Sequence, residues 1–241
     1  MHRRLVVATL VAAGLGAAAV TAGAAVVNEQ TFKLTLSSDT PKTSTGITFS
    51  TNRKSYTVPA PPTTPVYVAR TVFMLPAGSK INLGAAAACR ISVLRKQGAA
   101  GCSGKSIGEG KAVIATNVAV LPTIDEDVAM FATKTGMAAV LTGLQTFVLP
   151  VKVAGRKITV DLPRLCVPPG TVADNCPTGE AVLKSLKVKI KAKTRGSGSK
   201  TKRLITTPAT CVGGKWTSSA GYAYSNGDVE ATTSTSTCSK K

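Results

Sequence analysis

Leu186-Lys187-Val188-Lys189-Ile190-Lys191-Ala192-Lys193 decides the fold class of this chain. Leu186, Val188, Ile190 and Ala192 fall on one side of an extended segment, and Lys187, Lys189, Lys191 and Lys193 on the other. A period of two is the signature of a strand with one face on a core and one in water; at helical spacing the same residues would scatter around the axis.

The pattern recurs on both sides of this stretch. Thr31-Phe32-Lys33-Leu34-Thr35-Leu36 alternates, and so does Gly46-Ile47-Thr48-Phe49-Ser50. Residues 66–75 read as a strand stopped by Pro76-Ala77-Gly78, and residues 111–121 as another. Residues 127–134 and 137–141 flank Thr135-Gly136 as a hairpin, although their alanine content also suits a helix. Residues 145–153 and 157–162 flank Ala154-Gly155-Arg156 as a clearer one. Residues 216–224 and 229–238 flank Ser225-Asn226-Gly227-Asp228, and Asn-Gly between alternating runs is the strongest short hairpin signal. Residues 203–206 can return along residues 186–193 after Gly196-Ser197-Gly198-Ser199. One short helix is predicted over residues 85–97, from Ala88, Ile91 and Leu94 at helical spacing and Gly98 as its cap. Residues 59–65, with Pro59, Pro61, Pro62 and Pro65, read as a stiff connector. About a dozen short strands predict an all-β, antiparallel β-sandwich, jelly-roll or immunoglobulin-like in topology, with that one helix.

The N-terminus carries His2, Arg3 and Arg4, then an apolar run over residues 5–20, then Ala22-Gly23-Ala24. This is the layout of a secretory signal peptide; an uncleaved anchor is the alternative, with a run barely reaching the ~20 residues a span requires. The expected organisation is a signal peptide over residues 1–24 and a single secreted domain over residues 25–241. The 30 basic residues less Arg3 and Arg4, set against 11 acidic ones, leave a net charge of +17 after cleavage. His2, the only histidine, leaves as well. A mature chain without histidine has no Ser-His-Asp or Cys-His triad and lacks the commonest metal ligand.

Cys89, Cys102, Cys166, Cys176, Cys211 and Cys238 remain. An even count after export reads as three disulfides. Six cysteines allow 15 pairings. Neighbour pairing, Cys89–Cys102, Cys166–Cys176 and Cys211–Cys238, is the expected set: the first two close short loops, and the third ties a C-terminal strand pair. No C-x-x-C occurs, so a zinc ribbon or a thioredoxin-like site has no support.

Gly104-Lys105-Ser106-Ile107-Gly108 fits the G-x-S-x-G of hydrolases, but that serine needs a strand-to-helix turn and a base, and neither is in view. A P-loop would need glycine at position 99, where Ala99 stands. The glycines are expected to form a turn that launches a strand, with Gly108 and Gly110 able to shape a weak anion nest. Ser197-Gly198-Ser199-Lys200, Ser38-Asp39-Thr40 and Lys134-Thr135-Gly136 echo the penicillin-interacting enzymes in the wrong order. Asp125-Glu126-Asp127 reads as a solvated turn, or at most a weak calcium site. Glu109 with Asp161 is one of many carboxylate pairings a glycosidase reading would require. No catalytic residue, metal or cofactor is expected.

Nine cations between positions 184 and 203 stand out: Lys184, Lys187, Lys189, Lys191, Lys193, Arg195, Lys200, Lys202 and Arg203. They suit a surface that contacts an anionic cell-surface polymer or lipid headgroups. The plainer alternative is a lysine-studded edge strand that resists aggregation. Sequence-specific nucleic-acid recognition is disfavoured, because the run holds no aromatic to stack on a base and no reading helix.

With these positions placed, the chain resembles the uncharacterised secreted, cysteine-containing β-sandwich proteins of actinobacterial type. The resemblance runs over residues 66–238. It rests on Leu75-Pro76-Ala77-Gly78, Cys89, Cys102, Ser106-Ile107-Gly108-Glu109-Gly110-Lys111-Ala112, Thr206-Thr207-Pro208, Cys211, Gly214-Lys215-Trp216 and Cys238. Ser103 departs from it, where proline would be expected. The resemblance implies a secreted β-sandwich and carries no activity. The expected role is a secreted, non-enzymatic structural or adhesive protein of the cell envelope that binds anionic polymers. A carrier of lipid or small apolar ligands between the sheets is the first alternative, and a secreted hydrolase lacking histidine the second.

Overall fold

The computed structural model describes residues 27, 29–54, 58–59, 65–167, 176 and 179–239. The predicted signal segment and residues 60–64 of the proline-rich connector lie outside the described residues, as do residues 168–175 and 177 of the loop pinned by Cys166 and Cys176.

The strands are β1 (Gln30–Leu36), β2 (Ile47–Arg53), β3 (Val68–Met74), β4 (Lys80–Ile81), β5 (Ser106–Thr116), β6 (Thr123–Ala132), β7 (Gly136–Thr142) and β8 (Thr146–Ala154). They continue with β9 (Lys157–Asp161), β10 (Leu165–Cys166), β11 (Glu180–Ile190), β12 (Thr194–Arg195), β13 (Lys202–Arg203), β14 (Ile205–Thr206), β15 (Lys215–Tyr224) and β16 (Val229–Thr237). The one α-helix among the described residues is α1 (Ile91–Gln97).

One 12-stranded sheet dominates, in the order β1-β2-β11-β5-β6-β7-β8-β9-β3-β15-β16, with β10 added on β11. Every pairing is antiparallel. The fold is thus all-β and antiparallel, with one short helix and three disulfides. The two layers facing across the core are opposite walls of one continuous sheet, which curls until β1 meets β16.

The meeting of β1 and β16 is not an ordinary ladder. Ser234 Oγ accepts from the Leu34 amide at 2.9 Å and donates to the Leu34 carbonyl at 3.3 Å. The Glu230 carboxylate accepts from the amides of Glu29 (3.0 Å) and Gln30 (2.9 Å). Among the described residues, direct backbone bonds across this seam are confined to the flanks, Val27 N to Val229 O at 3.1 Å and Ser239 N to Asp39 O at 2.9 Å. Inward side chains of β16 hold the edge of β1, so β1 tucks against the inner face of β16 as a lap joint. Short serines on β16 make this possible, since a strand's side chains stand perpendicular to its sheet.

The alternation that opened the sequence is found on β11, where Val188 and Ile190 are buried and Lys187 and Lys189 exposed. Ala192, expected on the apolar face, is exposed instead. The ladder to β5 ends with Lys191 N on Ile107 O (2.8 Å), after which the chain leaves for the β12–β13 hairpin. The alanine-rich segments are strands β6 and β7. Their inner face meets the barrel core, and their outer face carries Phe131, Ala138 and Val140 beneath Leu94 of α1. Burial on both faces removes the alternation.

The helix is shorter than predicted. Cys89 N donates to Ala132 O at 2.8 Å, which holds the chain extended just before α1, and residues 83–85 form only a 3-10 turn capped by Asn82. Gly98 does close α1, with φ 60°. Gly108 and Gly110 are extended ladder residues in β5 rather than a turn. A Cβ at Gly108 would stand 2.5 Å from Lys189 O, and one at Gly110 would overlap Lys187 O, so glycine lets β11 approach this closely.

Candidate functional site

Around eight strands make a barrel whose inward side chains just fill it, and the diameter grows with strand number. Here eleven strands lie on the closing path. The inward residues are of ordinary size, chiefly Val, Ile, Leu, Met and Phe, and they leave a cavity of about 60 Å³. That is several times the ~10–15 Å³ that admits one water. Its walls come from β2, β3, β5 to β9, β10 and β11, and include Phe49, Phe73, Met130, Leu149 and Val188. No described lining residue is charged.

One end of the barrel is plugged. Leu75, Ala85, Ala86, Leu204 and Ile205, from the connections after β3 and β11, are buried in the same core. At the opposite end, Phe147, Leu162 and Leu183 line the cavity yet remain half-buried. They sit at the start of β8, just after β9 and near the start of β11, where Phe147 also packs against a second buried cluster that includes Ile114, Leu165 and Val167.

The wall around the lap joint is polar. Arg53, 2% exposed, bonds Glu29 through Nε (2.6 Å) and donates to Val66 O (2.5 Å). Its guanidinium lies 5.3 Å from the Tyr224 ring centre, and Tyr224 OH donates to Glu230 at 2.8 Å. Tyr222 OH and Thr51 Oγ1 are 2.8 Å apart, and Thr51 also donates to Gln30 Oε1 at 3.1 Å. Burial pushes the Tyr222 phenol up to about 12. Burial, reinforced by the bond to Glu230, raises Tyr224 as well. Both therefore stay protonated at neutral pH. Sequence reading missed this network, because its members come from β1, β2, β15 and β16 and show no local motif.

The nine predicted cations fall on β11 and on the hairpin that follows it. Lys187 and Lys189 lie on the outer face of β11, with Lys184 half-buried beside a bulge and Lys191 and Lys193 just beyond the strand. Arg195, Lys202 and Arg203 stand on the β12–β13 hairpin, and Lys200 in its turn. Because β11 pairs with β2 on one side and β5 on the other, its lysines do not protect an edge. Register runs Lys33, Ser50, Lys187, Lys111 and Asp127 across five strands. Lys111 is paired with Asp127 at 2.5 Å and Lys191 with Glu109 at 3.1 Å. No described acid lies in ion-pair range of Lys33, Lys187 or Lys189. Lys33 was absent from the predicted set, since alternation turns it outward but only the register brings it beside Lys187. Apolar inside and charged outside is the reverse of a membrane-spanning barrel, whose lipid-facing band is apolar.

The remaining candidates do not assemble. Ser106 Oγ donates to Gly108 O at 2.8 Å and accepts from Gly108 N, which clips the register shift at the start of β5. Asp125-Glu126-Asp127 is mid-strand in β6 rather than a turn, so Asp125 and Asp127 face out while Glu126 faces in. Three acids on alternate faces do not converge on one ion, and no metal-ligand cluster occurs among the described residues. Glu126 is fully buried against Gly143, and neither oxygen completes a hydrogen bond. Burial raises its pKa; the Leu144 amide offsets part of this, and Asp127 adds to it. Glu109 and Asp161 are separated by β6, β7 and β8, and Asp161 is held by Arg70 (2.5 Å) and Lys152 (2.8 Å). Those two cations hold the Asp161 carboxyl below its ordinary range, Lys152 contributing most.

All six cysteines pair as neighbours: Cys89–Cys102, Cys166–Cys176 and Cys211–Cys238, with Cα separations of 6.1, 5.0 and 5.8 Å. Three disulfides fit an oxidising compartment. Comparison of the chain with protein-family models, with curated proteins and with solved structures finds no match in any of the three.

Proposed function

We propose that this protein is an exported, non-enzymatic binding protein that carries a small apolar ligand inside its barrel. The observation that carries this reading is the uncharged cavity of about 60 Å³ within a barrel wider than its side chains fill. Apolar cavities stay dry, and an apolar guest restores the contacts that their walls lack.

Organic extraction of the purified native protein, followed by mass spectrometry, should release apolar compounds. Ala139→Leu, which fills part of the cavity wall, should cut retention at least fivefold while the thermal midpoint stays within a few degrees. An empty wild-type extract, together with no uptake of added 1-octanol, would overturn the reading.

A second reading concerns the outer wall, and the row of Lys33, Lys187 and Lys189 without acid partners favours it. This wall docks the protein on an anionic polymer of the cell envelope, leaving the interior free to load. Binding to alginate should then weaken steeply with salt, because exposed charges are screened beyond ~8 Å at physiological ionic strength. Lys187→Gln with Lys189→Gln should weaken it about tenfold, whereas Lys191→Gln, already paired with Glu109, should do less. Equal effects of all three changes would sink the wall as the contact surface.

A further inference from the structure

Glu126 is fully buried in β6, and its two carboxylate oxygens complete no hydrogen bond. Ile124 and Val128, the inward residues on either side of it, are apolar and buried. Ile124 belongs to the cluster with Leu165 and Val167, and Val128 to the cavity wall. The cover over Glu126 is thin. Its carboxyl lies against Gly143, in the turn between β7 and β8, where a Cβ would stand 2.6 Å from it. Residues 142–146 are all exposed, so a short displacement of this turn gives the carboxyl water. Phe147 follows the turn directly; it lines the cavity and packs on the cluster of Ile124.

No counter-charge meets this group. Ala112 is its rung partner on β5, and β7 and residues 143–145 carry no ionisable side chain. On the outer face Asp127 pairs with Lys111 and Glu109 with Lys191, while Asp125 is exposed. On β8 Lys152 bonds Asp161, and beside the Leu165 cluster Arg164 bonds Glu180. Across the core Arg53 is bound to Glu29, and Glu230 to Tyr224. A carboxylate enclosed in this way has lost its hydration with nothing in return, so it either takes up a proton or leaves.

We infer that Glu126 is a proton-operated latch on the β7–β8 turn. Protonated, it stays inside and the turn stays down; deprotonated, it swings out to water and lifts residues 143–147, Phe147 among them, off the interior. The consequence for a guest rests on the reading of the interior as a ligand site; the latch itself does not. Burial favours the proton in the closed form, against the opposing pull of the Leu144 amide. Closure is therefore fully stabilised below the ordinary carboxyl pKa, and loses that stabilisation as pH rises through the raised one.

Amide hydrogen exchange of residues 144–148, read by NMR on the full folded protein without guest, reports this opening. After correction for the intrinsic rate, wild-type protection should fall about tenfold per pH unit between the ordinary carboxyl pKa and the raised one. Protection in β15 should not follow it. Glu126→Gln keeps the shape and removes the ionisation, so it should hold protection at its acid level at every pH. Gly143→Ala crowds the carboxyl and should lower protection at acid pH by about fivefold or more, as overpacking does. Release of bound 1-octanol should quicken with pH in step with the opening.

Wild-type protection that stays level from about pH 4 to 8 overturns the latch, since a buried carboxyl should ionise within or below that span once the turn opens. A Glu126 carboxyl carbon that titrates in the ordinary range overturns it too, and needs no variant. So does a Glu126→Gln protein that opens more readily than wild type, because the carboxylate would then be holding the turn through the Leu144 amide. A working latch in a protein that takes up no 1-octanol removes the carrier reading and leaves the latch standing.

Discussion

Glu230→Ala should lower the unfolding free energy by about 3–5 kcal/mol, because three donors lose one buried, charged acceptor. Those donors are the amides of Glu29 and Gln30 and the hydroxyl of Tyr224. Glu230 is 5% exposed, so little water reaches them in compensation. The expected fall in thermal midpoint is about 6–20 °C, at ~2–4 °C per kcal/mol for a domain of this size. Glu230→Gln keeps one acceptor oxygen and should lose clearly less. Ser234→Ala, at the same joint, should cost about 1 kcal/mol for its pair of neutral bonds. Thermal unfolding followed by circular dichroism checks the order. Glu230→Ala within 1 kcal/mol of wild type would mean that the lap joint is not what closes the barrel. The effect is large because the seam has few backbone ladder bonds of its own, so one carboxylate carries what a ladder would otherwise share.

The second large effect belongs to Cys211–Cys238. It joins residues 27 apart, against 13 for Cys89–Cys102 and 10 for Cys166–Cys176. Loop-closure entropy gives about 3–4 kcal/mol for the longest loop and about 3 for the others. Position widens the gap. Cys211 precedes β15 and Cys238 follows β16, and Cys238 N also bonds Gly214 O at 3.0 Å. The bridge therefore clamps the open end of the hairpin whose outer strand forms the seam. Cys211→Ala with Cys238→Ala should be the most destabilising of the three paired replacements in denaturant titrations, with Cys89→Ala and Cys102→Ala next. A Cys89–Cys102 knockout that unfolds first would refute the ranking. That bridge only clasps α1 to the outside of β6 and β7, where Leu94 covers Phe131, Ala138 and Val140.

Much of the wall was legible because local chemistry sets it. Alternation identified β1, β2 and the second half of β11. Asn226-Gly227 gave the β15–β16 hairpin, with Gly227 at φ 92°, and Gly155 gave β8–β9. β6 and β7 form the hairpin the sequence offered, but their strand character was ambiguous because α1 buries the outer face and erases the period. The glycines of β5 misled: they suggested a turn, while their use is to let a neighbouring backbone come close. Neighbouring cysteines paired as spacing suggested, because each pair brackets a short connection or a hairpin whose ends must already meet.

The candidate sites were less legible. The cation run was visible as composition, but which lysines face one another depends on register between strands more than a hundred residues apart. Lys33 and Lys187 are neighbours across Ser50 for that reason alone.

By itself, the sequence determined that this chain forms short antiparallel strands with apolar residues on one side, and that three disulfides staple it. Those outcomes follow from side-chain alternation, turn residues and short loop closures, all of which act within about thirty residues. Only the tertiary structure decided that the two layers facing across the core are walls of one continuous sheet, and that its end strands overlap through Glu230 and Ser234. It also decided that a cavity remains at the centre. Curvature, closure and interior volume depend on how many strands share one sheet and on which residues meet across it, and no local stretch encodes that number.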